Sequence, residues 1–95
     1  MEGEIRVSAN EKNKITVDIY GQQYRMVGKA SASHLRSVAH YVDGKMREVA
    51  GGNDRLDTAK IAVLAALNIA DEFYQLKQEY DELIRILEEE ERRRE

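Results

Sequence analysis

Histidine, serine and carboxylate are the residues in this chain with the means to do chemistry, and their spacing speaks against it. His34 and His40 are six apart on a stretch of helical periodicity. They therefore fall on different sides of the helix and do not chelate one ion as an i, i+4 pair does. Ser31, Ser33 and Ser37 gather at the start of that helix, where hydroxyls serve as caps, and no base stands ready to activate one as a nucleophile. The chain has no Cys, hence no thiolate nucleophile, thiolate metal site or disulfide, which fits a reducing compartment. Gly51-Gly52 is not followed by the Lys-Ser or Lys-Thr of a phosphate-cradling loop. Acidic residues of the C-terminal half spread around a helix surface instead of converging in pairs. These patterns predict no catalysis and no metal role for the histidines.

The pattern that does persist is apolar. Alternating steps of three and four from Ala59 reach Ala62, Ala66, Ile69, Phe73, Leu76, Tyr80, Leu83 and Leu87, all apolar across four heptads. Such a seam belongs to a helix that supercoils against a partner. Between Leu56 and Leu67 the chain also carries Ile61, Val63, Leu64, Ala65 and Leu67 between seam positions, so this half is apolar nearly all round and must be covered on several sides. Nothing else in the chain is long enough to cover such a helix, so the sequence predicts self-association. Asn68 stands inside the apolar block. One reading is a buried amide that fixes register between helices; the other is a partly exposed Asn satisfied locally. The register role is the expectation carried forward.

Ninety-five residues make one small domain, near the size at which burying a core without a partner is marginal. Asp71 and Glu72 interrupt the longest apolar run before it reaches the roughly 20 residues of a membrane span. Met1–Ala9 has no apolar signal-peptide core, so the expectation is a cytoplasmic protein with no membrane partner. The net charge of −3 is split: residues 1–55 hold nine Lys/Arg against seven Asp/Glu, residues 56–95 six against eleven. That mild basic excess is far from a nucleic-acid-binding patch. A helix-turn-helix across Gly51-Gly52 fails similarly, because Lys60 is the only basic residue of its second helix before Lys77.

Residues 1–13 are polar, lack a period, and are expected to form a disordered tail. From Lys14 the period becomes two: Ile15, Val17 and Ile19 alternate with Thr16, Asp18 and Tyr20. Gly21-Gln22 suits a type II′ turn, which would set Ile19 opposite Tyr24, Val17 opposite Met26 and Asp18 opposite Arg25. This predicts a β-hairpin to Gly28 with one apolar face and a cross-strand ion pair on the other. Ser31 or Ser33 caps an amphipathic helix to about Ala50, with Leu35, Val38, Ala39, Val42, Met46 and Val49 on its apolar face. Gly51-Gly52 ends it. Gly44 within it is either a weak spot or the point where a partner comes close. Asp57 opens the long helix at its positive dipole end. Glu88–Arg92, Glu89–Arg93 and Glu90–Arg94 are helix-supporting pairs on a solvated end. The expected fold is α+β: a tail (1–13), a head of β-hairpin plus helix (14–55), and a long helix (56–95) that forms an intermolecular coiled coil and whose first half completes the head core.

Three stretches, in this order and spacing, carry a resemblance: ITVDIYGQQYRMVG (Ile15–Gly28), VDGKMREV (Val42–Val49) and RLDTAKIAVLAALNIADE (Arg55–Glu72). Together they resemble the ZapA family, bacterial cell-division proteins that bind FtsZ, over about residues 14–90. The relatively short terminal helix is similar to the form found in Gram-positive bacteria. The resemblance implies a homodimer, with association of two dimers into a tetramer. It further implies binding to FtsZ at the midcell division site, bundling of its filaments and support of the Z-ring. It implies neither enzymatic activity nor a cofactor. Because the long helix uses its apolar seam on itself, the FtsZ contact is expected on the head. Arg36, Lys45 and Arg47 on the polar face of the first helix, with Gln22 and Arg25 at the hairpin edge, suit an acidic partner. The competing readings are a coiled-coil scaffold for another cytoplasmic partner and a small DNA-binding dimer.

Overall fold

The computed structural model describes residues 3–7, 13–52 and 57–94. The period-two segments form β2 (Asn13–Ile19) and β3 (Gln22–Gly28), an antiparallel hairpin. The loop between them is Tyr20-Gly21, with φ of 49° and 78°, so both loop residues are left-handed, as in a type I′ turn. The expectation of a Gly21-Gln22 loop is corrected by one residue, and the pairing shifts by two. Ile19 faces Gln22, Val17 faces Tyr24 and Ile15 faces Met26. Asp18 now opposes Gln23 and Thr16 opposes Arg25, so the anticipated Asp18–Arg25 cross-strand pair does not form. A shift of two keeps every side chain on its face, which is why the apolar face survives the error. The left-handed turn at Tyr20 is supported from outside the hairpin: its N–H donates to Asp43 Oδ1 at 2.7 Å.

Residues 3–7 are not a disordered tail. Gly3–Val7 forms β1, which pairs parallel to β3 from Gly3↔Tyr24 to Val7↔Gly28, giving the sheet order β1-β3-β2. Its alternation of exposed Glu4 and Arg6 with half-buried Ile5 and Val7 is too short to register as a period, and a parallel neighbour 21 residues away leaves no turn signal. Asn13 likewise belongs to the sheet, and its Nδ2 donates to the Ala30 carbonyl at 2.8 Å. Residues 1–2 and 8–12 of the expected tail lie outside the described residues.

Helix α1 (Ala32–Ala50) starts at Ser31, whose Oγ accepts from the His34 N–H at 3.1 Å, and stops at Gly51, left-handed with φ 56°. Of the two candidate caps, Ser31 takes the role; the Ser37 hydroxyl donates to the Ser33 carbonyl. Leu35 and Ala39 pack with Val17 and Met26 beneath the sheet, flanked by Val7, Ile15, Ile19, Tyr24 and Val38. Further along, Met46 and Ala50 meet Ile61 and Ala65 of α2 (Thr58–Arg93), flanked by Ile19, Tyr20, Val42 and Val49. Asp57 Oδ1 accepts from the Lys60 N–H at 2.8 Å, a side-chain cap on the first turn of α2 as well as a favourable charge there. The connection at 53–56, including Leu56, lies outside the described residues. The chain forms two compact units, residues 1–65 and 66–95. The first holds both core clusters. In the second, α2 remains helical through EEEERR to Arg93, and Arg85 pairs with Glu82 at 3.9 Å on its surface.

Candidate partner-binding surfaces

Two polar flanks border the buried stripe of α1. At about 100° per residue, Arg36 and Arg47 share one flank, and Lys45 lies on the other. On the first flank Asp43 organises a small cluster. Its Oδ2 accepts from Arg47 Nε at 3.0 Å and its Oδ1 from the Tyr20 amide, while the Arg47 guanidinium sits 5.6 Å from the Tyr20 ring centroid. Charge-assisted bonds from Arg47, then the Tyr20 amide, hold the Asp43 carboxyl below the usual carboxylate range, and the same pairing raises Arg47. The cluster pins the hairpin tip to α1 and leaves the Arg47 side chain 61% exposed. On the second flank Lys45 is only 15% exposed, bonded to Glu48 at 3.5 Å and lying 5.8 Å from the Tyr41 ring centroid. Gly44 lies between the flanks on the outer side, where a Cβ would meet nothing within 4 Å; nothing within the described chain requires glycine there.

The five basic and amide residues expected to form one surface are thus divided. Arg47 lies over Tyr20 in the hairpin loop, two residues before Gln22, and Arg36 lies on the same flank of α1, three turns away. Lys45 is across the helix. Arg25 projects from the face of the sheet opposite Tyr24 and Met26, the residues that pack toward α1. Asp43 and Tyr20 were missed by sequence reasoning; the i, i+4 spacing of Asp43 and Arg47 was the available signal.

The cluster gives a measurable pH effect. A carboxylate lowered by folding stabilises the fold fully above its ordinary titration range, and that contribution is lost as pH falls through the lowered folded value. Asp43→Asn keeps an acceptor for Tyr20 but loses the charge, so it should lower stability by about 0.5–1 kcal/mol at neutral pH. Urea midpoints of variant and wild type should converge as pH drops below 4; a gap that persists in acid would remove the ion pair from the account.

The seam of α2 is open in the chain. Phe73, Leu76, Tyr80, Leu83 and Leu87 are 52–66% exposed, Ala62 and Ala66 are exposed, and Ile69 is half-buried. Tyr74, Ile84 and Ile86, absent from the 3-4 reading, are exposed too. Ile84 follows Tyr80 by four and so widens the same stripe. In the first unit Ala59, Val63 and Leu64 line a shallow apolar depression beside Lys60. Asn68 is exposed and stands about 100° round the helix from Ile69. Contiguous apolar surface of this extent on a small chain marks an interface. Among the described residues no cluster of three or more His, Asp or Glu could hold a metal, and no helix is long and apolar enough to cross a membrane.

Residues 15–95 match the family described as Cell division protein ZapA. The chain belongs to the ZapA family. A ZapA from Geobacillus sp. (strain WCH70) is 51% identical over 81 residues, which is 85% of this chain and 93% of the relative. The ZapA of Bacillus anthracis is 49% identical over 73 residues, 77% of this chain and 82% of its own length. Among solved structures, a ZapA mutant dimer from Geobacillus stearothermophilus superposes with a TM-score of 0.65 at 43% identity, covering 86% of this chain and 95% of that one. An unknown conserved bacterial protein from Pseudomonas aeruginosa PAO1 gives the same TM-score at 31% identity, covering 85% and 90%. Membership of the ZapA family places the chain in cell division. The family match starts after β1, so β2, β3, α1 and α2 are the shared body.

Proposed function

We propose that this chain acts as a homodimer that binds FtsZ in the cytoplasm at midcell, cross-links and bundles its filaments, and thereby promotes assembly and stability of the Z-ring. The observation that supports this most is the open apolar stripe of α2 on a chain of the ZapA family; a mutant of a ZapA relative was solved as a dimer. A two-fold dimer presents one surface twice, and a dimer of dimers presents it at both ends. Along a polymer that repeats its own site, two weak contacts on one body gain effective concentration, so bundling needs no strong single contact. No catalytic step or cofactor enters this mechanism.

The contact on FtsZ is assigned to the head, centred on the flank of α1 with Arg36 and Arg47 and on the hairpin tip with Gln22. Lys45 and Arg25 touch FtsZ only where the polymer reaches the other flank of α1 or the outer face of the sheet. Asn68 is kept as a register residue between paired helices.

The test is co-sedimentation with FtsZ and GTP, light scattering for bundling, and equilibrium ultracentrifugation of the protein alone. The wild type should pellet with the polymer and thicken it while itself a dimer or tetramer. Charge reversal at Arg36, Lys45 and Arg47 together should cut co-pelleting about tenfold or more with the oligomer intact. Unchanged pelleting of a folded triple variant would remove the contact from α1. A folded wild-type dimer that ignores FtsZ would remove FtsZ as the partner and leave a scaffold.

A further inference from the structure

The first strand is held differently from the rest of the head. Every buried residue of the two core clusters lies between Val17 and Ala65; β1 contributes Val7 as a partly buried flank. Both clusters draw all their buried members from outside Gly3–Val7, while the fully buried Val27 of β3, in neither cluster, registers with Arg6 of β1. With Gly3–Val7 lifted away, β3 loses its parallel neighbour and shows a row of backbone N–H and C=O groups at Tyr24–Gly28. Such an edge pairs with any extended segment that fits it.

This edge is shaped for one. A Cβ at position 28 would stand 2.6 Å from the Val7 carbonyl oxygen, 3.4 Å from Val7 Cβ and 3.0 Å from Leu35 Cδ2. Glycine at the end of β3 is thus what lets a neighbouring backbone pass so close. Gly28 belongs to the shared body, which begins at residue 15, whereas the strand that fills the space lies outside it. The occupant is recognised by alternation: Ile5 and Val7 turn toward the core side, and Glu4 and Arg6 pair with each other at 3.0 Å on the exposed side. Val7 and Asn13 both register with Gly28, from its two sides, about 10 Å apart at ordinary strand spacing. The five residues 8–12 span that distance easily.

We propose that the outer edge of β3, Tyr24–Gly28, is a binding site for an extended peptide running parallel to it with β-branched side chains at alternate positions, and that Gly3–Val7 is its tethered, displaceable ligand. A short tether holds this ligand at an effective concentration in the millimolar range. The site therefore stays filled in cis and opens only when the strand is released.

The test uses the full-length protein with a protease site introduced within residues 8–12, folded first and then cut. The probe is a fluorescent synthetic peptide of residues 1–10, followed by anisotropy. The cut protein should exchange its strand for the probe and saturate. The uncut protein should bind the probe about 100-fold more weakly, because the tethered strand competes. A Val7→Asp probe should bind the cut protein at least about tenfold more weakly, since it places a charge against the core flank. No exchange after cutting would make β1 a fixed part of the domain and overturn the proposal. Equal binding by both probes, or by cut and uncut protein, would put the peptide elsewhere and overturn it too. None of these outcomes depends on FtsZ.

Discussion

Lysine in place of both Leu76 and Leu83 should leave the protein monomeric at micromolar concentration. Both leucines are more than half exposed in the single chain, so their burial is what association gains. Burying a leucine contributes roughly 1.5–3 kcal/mol, and a dimer of the double variant loses four of them. Seating lysines in the seam adds a desolvation cost. A rise in dissociation constant of at least a thousandfold, about 4 kcal/mol, is therefore expected. Sedimentation equilibrium measures it directly. Helicity should fall as well, because residues 66–95 form a unit of their own whose apolar stripe then has no cover, and an isolated helix with little tertiary support is marginal. A double variant that stays dimeric would show that the long helix is not the association element.

The second large effect is expected one residue away from the seam. Ile61 is 1% exposed and packs with Met46, Ala50 and Ala65, whereas its neighbour Ala62 is exposed. Ile61→Ala removes three carbons from a filled site and should destabilise the head by about 2–4 kcal/mol, a large share of the total for a small domain. Denaturation has to be compared at one protein concentration, because association contributes to apparent stability. Leu87→Ala, at an exposed seam position, should weaken association while leaving the head intact. An Ile61→Ala variant as stable as wild type would contradict the assignment of this side of α2 to the chain's own core.

These two substitutions mark where sequence reasoning worked and where it stopped. The seam from Ala59 to Leu87 was legible because one period persists over four heptads, and the hairpin because its alternation and its glycine fall together. A cap at Ser31 or Ser33, the stop at Gly51 and the charge of Asp57 at the start of α2 were legible because helix ends are local chemistry; that Ser31 takes the first role and that Asp57 also caps came from the structure. The turn was misplaced by one residue. Glycine at the first loop position looked sufficient, and the bond from the Tyr20 amide to Asp43, 23 residues on, was invisible to a local rule. β1 was missed because its signal is the parallel edge of β3, not a feature of residues 3–7 themselves.

The candidate contact residues show the same division. Their charge and their helix could be read directly. Their separation could not: Arg36 and Arg47 fall on one flank, Lys45 is drawn under Tyr41 and Glu48, and Arg25 is on the far face of the sheet. By itself the sequence determined the order of hairpin, first helix and long helix, the helix ends and the existence of an unsatisfied apolar stripe, because periodicity and capping depend on residues a few positions apart. Only the tertiary structure decided the hairpin register, the third strand and the side of α2 that belongs to the chain's own core. Each of those follows from a contact between residues far apart in the chain, and such contacts leave no periodic trace in either partner.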